Sequence, residues 1–509
     1  MRSDSTFHRH RPLAFALAVA LGLSAAPLCA APAYADDLEF CREGYGKEIE
    51  DPLPGRPSYG LSISLTDLVR MPETRPTKLD PPSRPSLAPG KARINYIGEI
   101  PGDSRRRLFV PDLNGKLYLV ENKKATEYLD VASRFSNFQL APGLGSGFGF
   151  VAFHPAFQSN RKFYTVHTEA GKALYQHTPT LPVLTLVTQQ HAVITEWTAD
   201  SASAGTFSGS SRQVLRVGHY ANKHSIQQIG FNPYAKPGSA DYGLLYLAYG
   251  DGQEDDYLRP EWVNVAQDLT RPHGKILRID PLASGTSPYT VPKSNPYVTT
   301  KGALGEIYAI GLRDPHRFSW DPDTGKMYLG SYGERKVESV YEVKPKDNYG
   351  WNYREGIYAF QGKKIDEDHV YALPKDDKKC GFTYPVATYG RDVNKGLEEG
   401  NVVGIAGGFV YRGNAIPYLR GKYVFTDMVS GFVFYADVKE MKRGEPGVVP
   451  KQAPLKLLRI WYGGKETTMS ELATGEKLKR SDVRFGIDSA GELYLLAKAN
   501  GMIWKVGKK

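Results

Sequence analysis

The stretch "TGKMYLGS", residues 324–331, is a glycine turn followed by a run in which an aromatic side chain and a leucine precede small residues. Alone, it reads as one β-strand leaving a tight turn. The same texture recurs in "RLFVPD" (107–112), "KFYTVH" (162–167), "LLYLAYGD" (244–251), "KYVFTD" (422–427) and "ELYLLA" (492–497). Several copies also carry glycine just ahead, as in "YGLLYL", "RGKYVF" and "AGELYL". Their starts lie 55 to 96 residues apart, enough for a four-stranded sheet with its loops. Two β-sandwiches would not repeat one strand type six times. Sheets set radially would, and that arrangement protects their edges. Residues 93–509 are therefore expected to form an all-β, six-bladed β-propeller.

Outside the repeats the texture changes. Residues 36–92 are rich in proline ("DPLPGRPS", "LDPPSRPSLAPG") and are read as an extended N-terminal arm. Residues 1–35 combine Arg2, Arg9 and Arg11 with the apolar "LAFALAVALGLSAA" (13–26) and the small "AYA" (33–35). That is the pattern of a secretory signal peptide, and it predicts a periplasmic or secreted protein with no membrane span. Beyond it lie Cys41 and Cys380, which leave two readings open: one disulfide or two separate thiols. The formal net charge of +10 is scattered, without a Lys/Arg block or a nucleic-acid motif. It suits an acidic macromolecular partner or an anionic ligand.

Just upstream of "TGKMYLGS" runs "GLRDPHRFSWDP", residues 311–322. It crowds Arg313, His316 and Arg317 between two apolar runs, as a charged turn would. The stretches "GFGFVAFHPAF" (147–157), "KHSIQQIGFNP" (223–233) and "YLAYGDGQ" (246–253) belong with it. So do "AQDLTRPHGKILRIDP" (266–281), "YAIGLRDPHRFSWDPDTGKMYLG" (308–330), "DNYGWNYREG" (347–356), "GGFVYRGNAIPYLRGKYVFTD" (407–427) and "VRFGIDSAGELYLL" (483–496). In that order they resemble the soluble quinoprotein glucose dehydrogenases and the glucose/sorbosone dehydrogenase family.

The resemblance implies a propeller that binds pyrroloquinoline quinone (PQQ) with calcium and oxidises aldose sugars at the anomeric carbon. His224 takes the position of the family's base, suited to removing a hydroxyl proton as hydride leaves. Arg313 takes the position of the arginine facing the quinone oxygen. Arg412 stands where a basic residue holds a cofactor carboxylate. Asp314 and Ser430 occupy further cofactor-contact positions, where the family has asparagine and arginine. Gly333 and Glu334 lie on the loop whose backbone oxygens hold calcium, with Glu338 close by. Gly145 replaces a family glutamine, and Tyr220, Lys223 and Arg335 are available to compensate for missing clamps. An acidic electron acceptor such as a cytochrome c would complement the basic surface. His316, Arg317 and Asp251 are read as turn and scaffold residues, and "GDGQEDD" (250–256) as an acidic surface turn.

Three functions follow for test. One is an exported quinoprotein sugar dehydrogenase. Another is a cofactor-free propeller that binds a glycan or a protein. The third is a metal-dependent hydrolase of the lactonase type. The first requires that His224 and Arg313, distant in sequence, meet at the axis and leave room for a planar ring.

Overall fold

The recurring runs become the second strand of successive four-stranded antiparallel arrays in the computed structural model, which describes residues 36–74, 92–140, 146–181, 188–219, 223–252, 264–361, 369–396 and 403–509. The expected signal peptide (1–35), Gly145, Tyr220, and the acidic residues Glu254, Asp255 and Asp256 lie outside the described residues. Among those described, no helix is long and apolar enough to cross a membrane.

The first array joins Gly98–Glu99, Leu108–Pro111, Lys116–Glu121 and Lys124–Asp130. The second runs from Phe148–Phe153 to Gly209–His219, and the third from Ile226–Phe231 to Ile307–Ala309. The fourth joins Asp314–Trp320, Met327–Tyr332, Val337–Val343 and Ala387–Gly390. The fifth runs from Ile405–Val410 to Lys456–Tyr462, and the last contains Val483–Ile487, Leu493–Ala497 and Met502–Lys508.

The arm does not stay extended and unpaired. Tyr59–Arg70 is a 12-residue strand that pairs antiparallel with Met502–Lys508 and parallel with Lys456–Tyr462. Its Leu61, Ile63 and Leu65 alternate with serines, and that period of two turns one face onto the core. An N-terminal strand thus completes the C-terminal sheet, so the chain's two ends are joined by a ladder of backbone hydrogen bonds. Cys41 and Cys380 are disulfide-bonded, with Cα atoms 5.9 Å apart, and they fasten the preceding segment to the insertion between the third and fourth strands of the fourth sheet.

The first strands of neighbouring sheets lie side by side and are stapled by side chains. Gln228 donates to Phe318 O at 3.0 Å and accepts from Phe318 N at 2.8 Å. Ser319 Oγ donates to Gly408 O at 2.7 Å. Close approach here requires glycine: a Cβ on Gly407, whose φ is +70°, would lie 2.6 Å from Arg317 Cβ. The stretch that reads as a charged turn, "DPHRFSW", is itself one of these first strands, buried along its whole length. His316 and Arg317 are therefore core residues of the innermost layer, not residues of a turn at a sheet edge.

Candidate functional site

Each first strand begins at the same end of its sheet as its second strand finishes, so residues before one and after the other meet there. Ile226 pairs with Tyr249, and Asp314 with Tyr332. His224 stands two residues ahead of the first pair and Asp251 two residues after it. Gly250 makes the approach possible, because a Cβ there would sit 2.5 Å from His224 O. His224 holds a left-handed φ of +50°, a strain of about 1–3 kcal/mol that the surrounding bonds must offset.

Those bonds are specific. His224 Nδ1 lies 2.7 Å from Asp251 Oδ1. Trp351 Nε1 donates to Asp251 Oδ2 at 2.9 Å, and the Asp251 backbone N–H donates to Arg313 O at 2.7 Å. An aspartate with both oxygens engaged orients the imidazole: Nδ1–H donates to Asp251, so in the neutral ring the lone pair is on Nε2. Nε2 carries no hydrogen bond among the described residues. Trp351 is positioned in turn by Gln267, which donates to Trp351 O at 2.7 Å and bonds Asn348 through its amide.

Arg313 reaches the same place from the fourth sheet. Its guanidinium lies 5.8 Å from the Trp351 ring centre and donates to Gly333 O at 2.9 Å and to the Glu334 carboxylate. Asp314, 6 % exposed, has its pKa raised by burial, opposed by the charges of His224 and Arg313, and its Oδ1 has no hydrogen-bond partner. A narrow cleft of about 20 Å³ lies against Arg313, Tyr332, Gly333, Trp351 and Glu355. Its loop is held from beneath: Glu355 accepts from the backbone N–H groups of Arg335, Lys336 and Val337. Glu338 accepts from Gly333 N at 3.2 Å and Ile405 N at 2.9 Å.

Five residues named from the sequence therefore come together: His224, Arg313, Asp314, Gly333 and Glu334. Two do not. Arg412 follows the far end of its strand, where it grips Asp321 with two bonds of 2.8 Å and Asp323 at 3.0 Å. Its guanidinium is committed at the opposite end of the sheets from His224. Ser430, 4 % exposed, is buried in the turn after Lys422–Asp427, where its hydroxyl and N–H both bond Asp427 Oδ1. Asp251, read as a turn residue, is the partner of His224. The Gly-Asp-Gly at the end of an apolar run was its available signal. Nothing local marked Trp351 or Glu355.

The two groups implied by the resemblance fare differently. Calcium does not fit this loop as built, because Gly333 O and the Glu334 carboxylate already bind the Arg313 cation. Among the described residues, no three His, Cys, Asp or Glu side chains converge as metal ligands. A planar, anionic redox group matches the lining in chemistry, and the cleft must widen to admit it: Arg313 and Trp351 line it, and in the loop after Gly333 the buried Nε of Arg335 has no hydrogen-bond partner.

The family described as "Glucose / Sorbosone dehydrogenase" matches residues 100–455. The HIPL2 protein of Arabidopsis thaliana is 27% identical over 390 residues, 66% of this chain and 51% of that protein. The chain thus spans about half the length of this curated relative. Among solved structures, the apo soluble aldose sugar dehydrogenase of Escherichia coli superposes with a TM-score of 0.54 at 16% identity, covering 88% of this chain and 100% of that one. The PQQ-bound aldose sugar dehydrogenase of Streptomyces coelicolor gives 0.51 at 16% identity, covering 88% and 99%. At such identity the likeness speaks to the β-propeller fold.

Proposed function

The chain belongs to the glucose/sorbosone dehydrogenase family, and from that membership we propose that it is an exported sugar oxidoreductase built on a six-bladed propeller. The observation that carries this is the chain of contacts from Trp351, which lines the Arg313 cleft, through Asp251 to His224.

A quinone bound against Arg313 and Arg335 would supply the two-electron acceptor. The protein's own residues do the rest. His224 Nε2 takes the proton from the sugar's anomeric hydroxyl, and Asp251 stabilises the imidazolium that results without taking the proton itself. Arg313 places positive charge where negative charge grows on the acceptor. Trp351 closes the cleft wall and keeps water from the Asp251–His224 bond. Electrons then leave to an external acceptor, for which an acidic cytochrome c suits the net charge of +10. PQQ titration, with and without calcium, tests this reading: the quinone absorption should change on binding and again on adding an aldose. Unchanged spectra at saturating quinone, with no sugar-dependent dye reduction, would reject it.

A second reading has one observation in its favour. Arg313 is closed onto Gly333 O and Glu334, and its neighbours include Asp251, Asp314 and the cleft-lining Glu355. That balance is poor for a tricarboxylate, and it suits a cofactor-free module binding a glycan or a protein. Glycan-array binding that is indifferent to added quinone would favour this reading.

A further inference from the structure

Below the cleft, the first strands carry charges that the proposed reaction does not use. A register shift between Pro315 and Arg317 interrupts the Asp314–Trp320 strand. Such a bulge re-aims side chains, and Arg317 points across the sheets. Its NH1 donates to Gln227 O at the third sheet, and its Cζ lies 4.9 Å from the Phe150 ring centre on the second. Gly407 of the fifth sheet packs against its Cβ. This guanidinium therefore sits where the first strands of four sheets meet.

Others surround it. Arg484 is on the first strand of the last sheet, Arg93 precedes the first sheet, and Lys498 follows Leu493–Ala497. Arg93, Arg317 and Arg484 are 3 %, 7 % and 4 % exposed, and His316 beside them is 6 % exposed. Arg93 NH1, Arg317 NH2, Arg484 Nε and His316 Nδ1 are all buried without a hydrogen-bond partner. The carboxylates in reach are Asp112, Asp314, Asp427 and Asp482. Thr74 and Asn114 bond Asp112, Asn394, Gly404 and Ser430 bond Asp427, Arg480 pairs with Asp482 at 3.0 Å, and burial raises the pKa of Asp314.

An unmatched buried donor is costly, and an unmatched buried charge more so. Burial and mutual repulsion push Arg317 down to about 9 and Arg484 to about 10, and hold Lys498 well below the usual lysine range. Lys498 can relieve the strain by giving up its proton. Arginines do not have that route, and losing the lysine proton would leave their N–H groups as unpaired as before.

We propose that a small anion, a halide or the carboxylate of a small ligand, binds to the orphaned N–H groups of Arg317 and Arg484 on the innermost strands. One anion would accept from several of the orphaned N–H groups and lower the repulsion among the cations. Neither Arg317 nor Arg484 lines the Arg313 cleft, and the proposal does not depend on a quinone binding there.

Bromide is the probe. Crystals of the full chain grown in sodium bromide should show an anomalous peak between Arg317 and Arg484. In solution, the Tm should be several degrees higher in sodium chloride than in sodium gluconate at equal ionic strength. Arg484→Met should abolish that difference, and Arg484→Lys, which keeps the charge, should retain part of it. If neither variant folds, the wild-type measurements still decide. A bromide peak and a halide-dependent Tm support the inorganic anion. An organic molecule whose carboxylate fills the site in the native protein supports the same chemistry from the other source. A site holding only water in bromide-grown crystals, with equal Tm in both salts, overturns the proposal.

Discussion

Replacing Asp251 with asparagine strikes the centre of the proposed chemistry. Asp251 accepts on both oxygens, from His224 Nδ1 at 2.7 Å and Trp351 Nε1 at 2.9 Å. An amide offers one acceptor and one donor. With its oxygen kept on Trp351, its NH₂ faces His224 Nδ1 and can only donate, so the ring proton moves to Nε2 and the free lone pair is lost. Turned the other way, two donors meet at the indole, and the buried unpaired group costs about 1–3 kcal/mol. Loss of the charge-assisted bond, about 1.5–3 kcal/mol, alone gives roughly a ten- to hundredfold slower reaction. With the tautomer inverted, the deficit grows to about 10⁴ in turnover, the scale found when the aspartate of a Ser-His-Asp triad is made an amide. The assay is kcat for sugar-dependent dye reduction by quinone-loaded protein, alongside ring-nitrogen NMR shifts that report the His224 tautomer. A folded D251N protein with the wild-type tautomer and turnover within about twofold of wild type would refute the reasoning.

Three further outcomes can be measured. Glu338 is pushed up to about 8, first by burial and then by the Asp427 charge, against hydrogen bonds from Ile405 and Gly333. A carboxyl whose folded value is raised contributes stability below its unfolded value, near 4.5, and loses it as pH climbs through about 8. Thermal stability should therefore fall across that window, and Glu338→Gln should flatten the decline; an unchanged slope would count against the assignment. Converting Cys41 and Cys380 to serine should cost about 2–5 kcal/mol, read from the denaturant midpoint, with no change expected in quinone titration. A chain beginning at Met71 lacks the Tyr59–Arg70 strand and exposes the edge of Met502–Lys508, so it should aggregate on size exclusion. A peptide spanning residues 59–70 should rescue it, and a stable monomer without that peptide would contradict the closure.

The sequence alone determined what depends on local pattern. Repeated short apolar runs with turn glycines require sheets, because alternation and turn chemistry act over a few residues. The motifs around His224 and Arg313 were legible for the same reason. Other features lay on the page but were outweighed: the alternating Leu61, Ile63 and Leu65 were masked by prolines on either side, and "DPHRFSW" hid a core strand behind its charges. Only tertiary structure decided which charges meet. His224 and Asp251 are 27 residues apart, and Asp251 and Trp351 are 100 apart, so no local pattern couples them. Arg412 shows the converse, since a motif match cannot reveal which end of a sheet a residue occupies. A guanidinium is a clamp or a strut according to the nearest carboxylate, and strand register, set by the packing of the whole chain, chooses that neighbour.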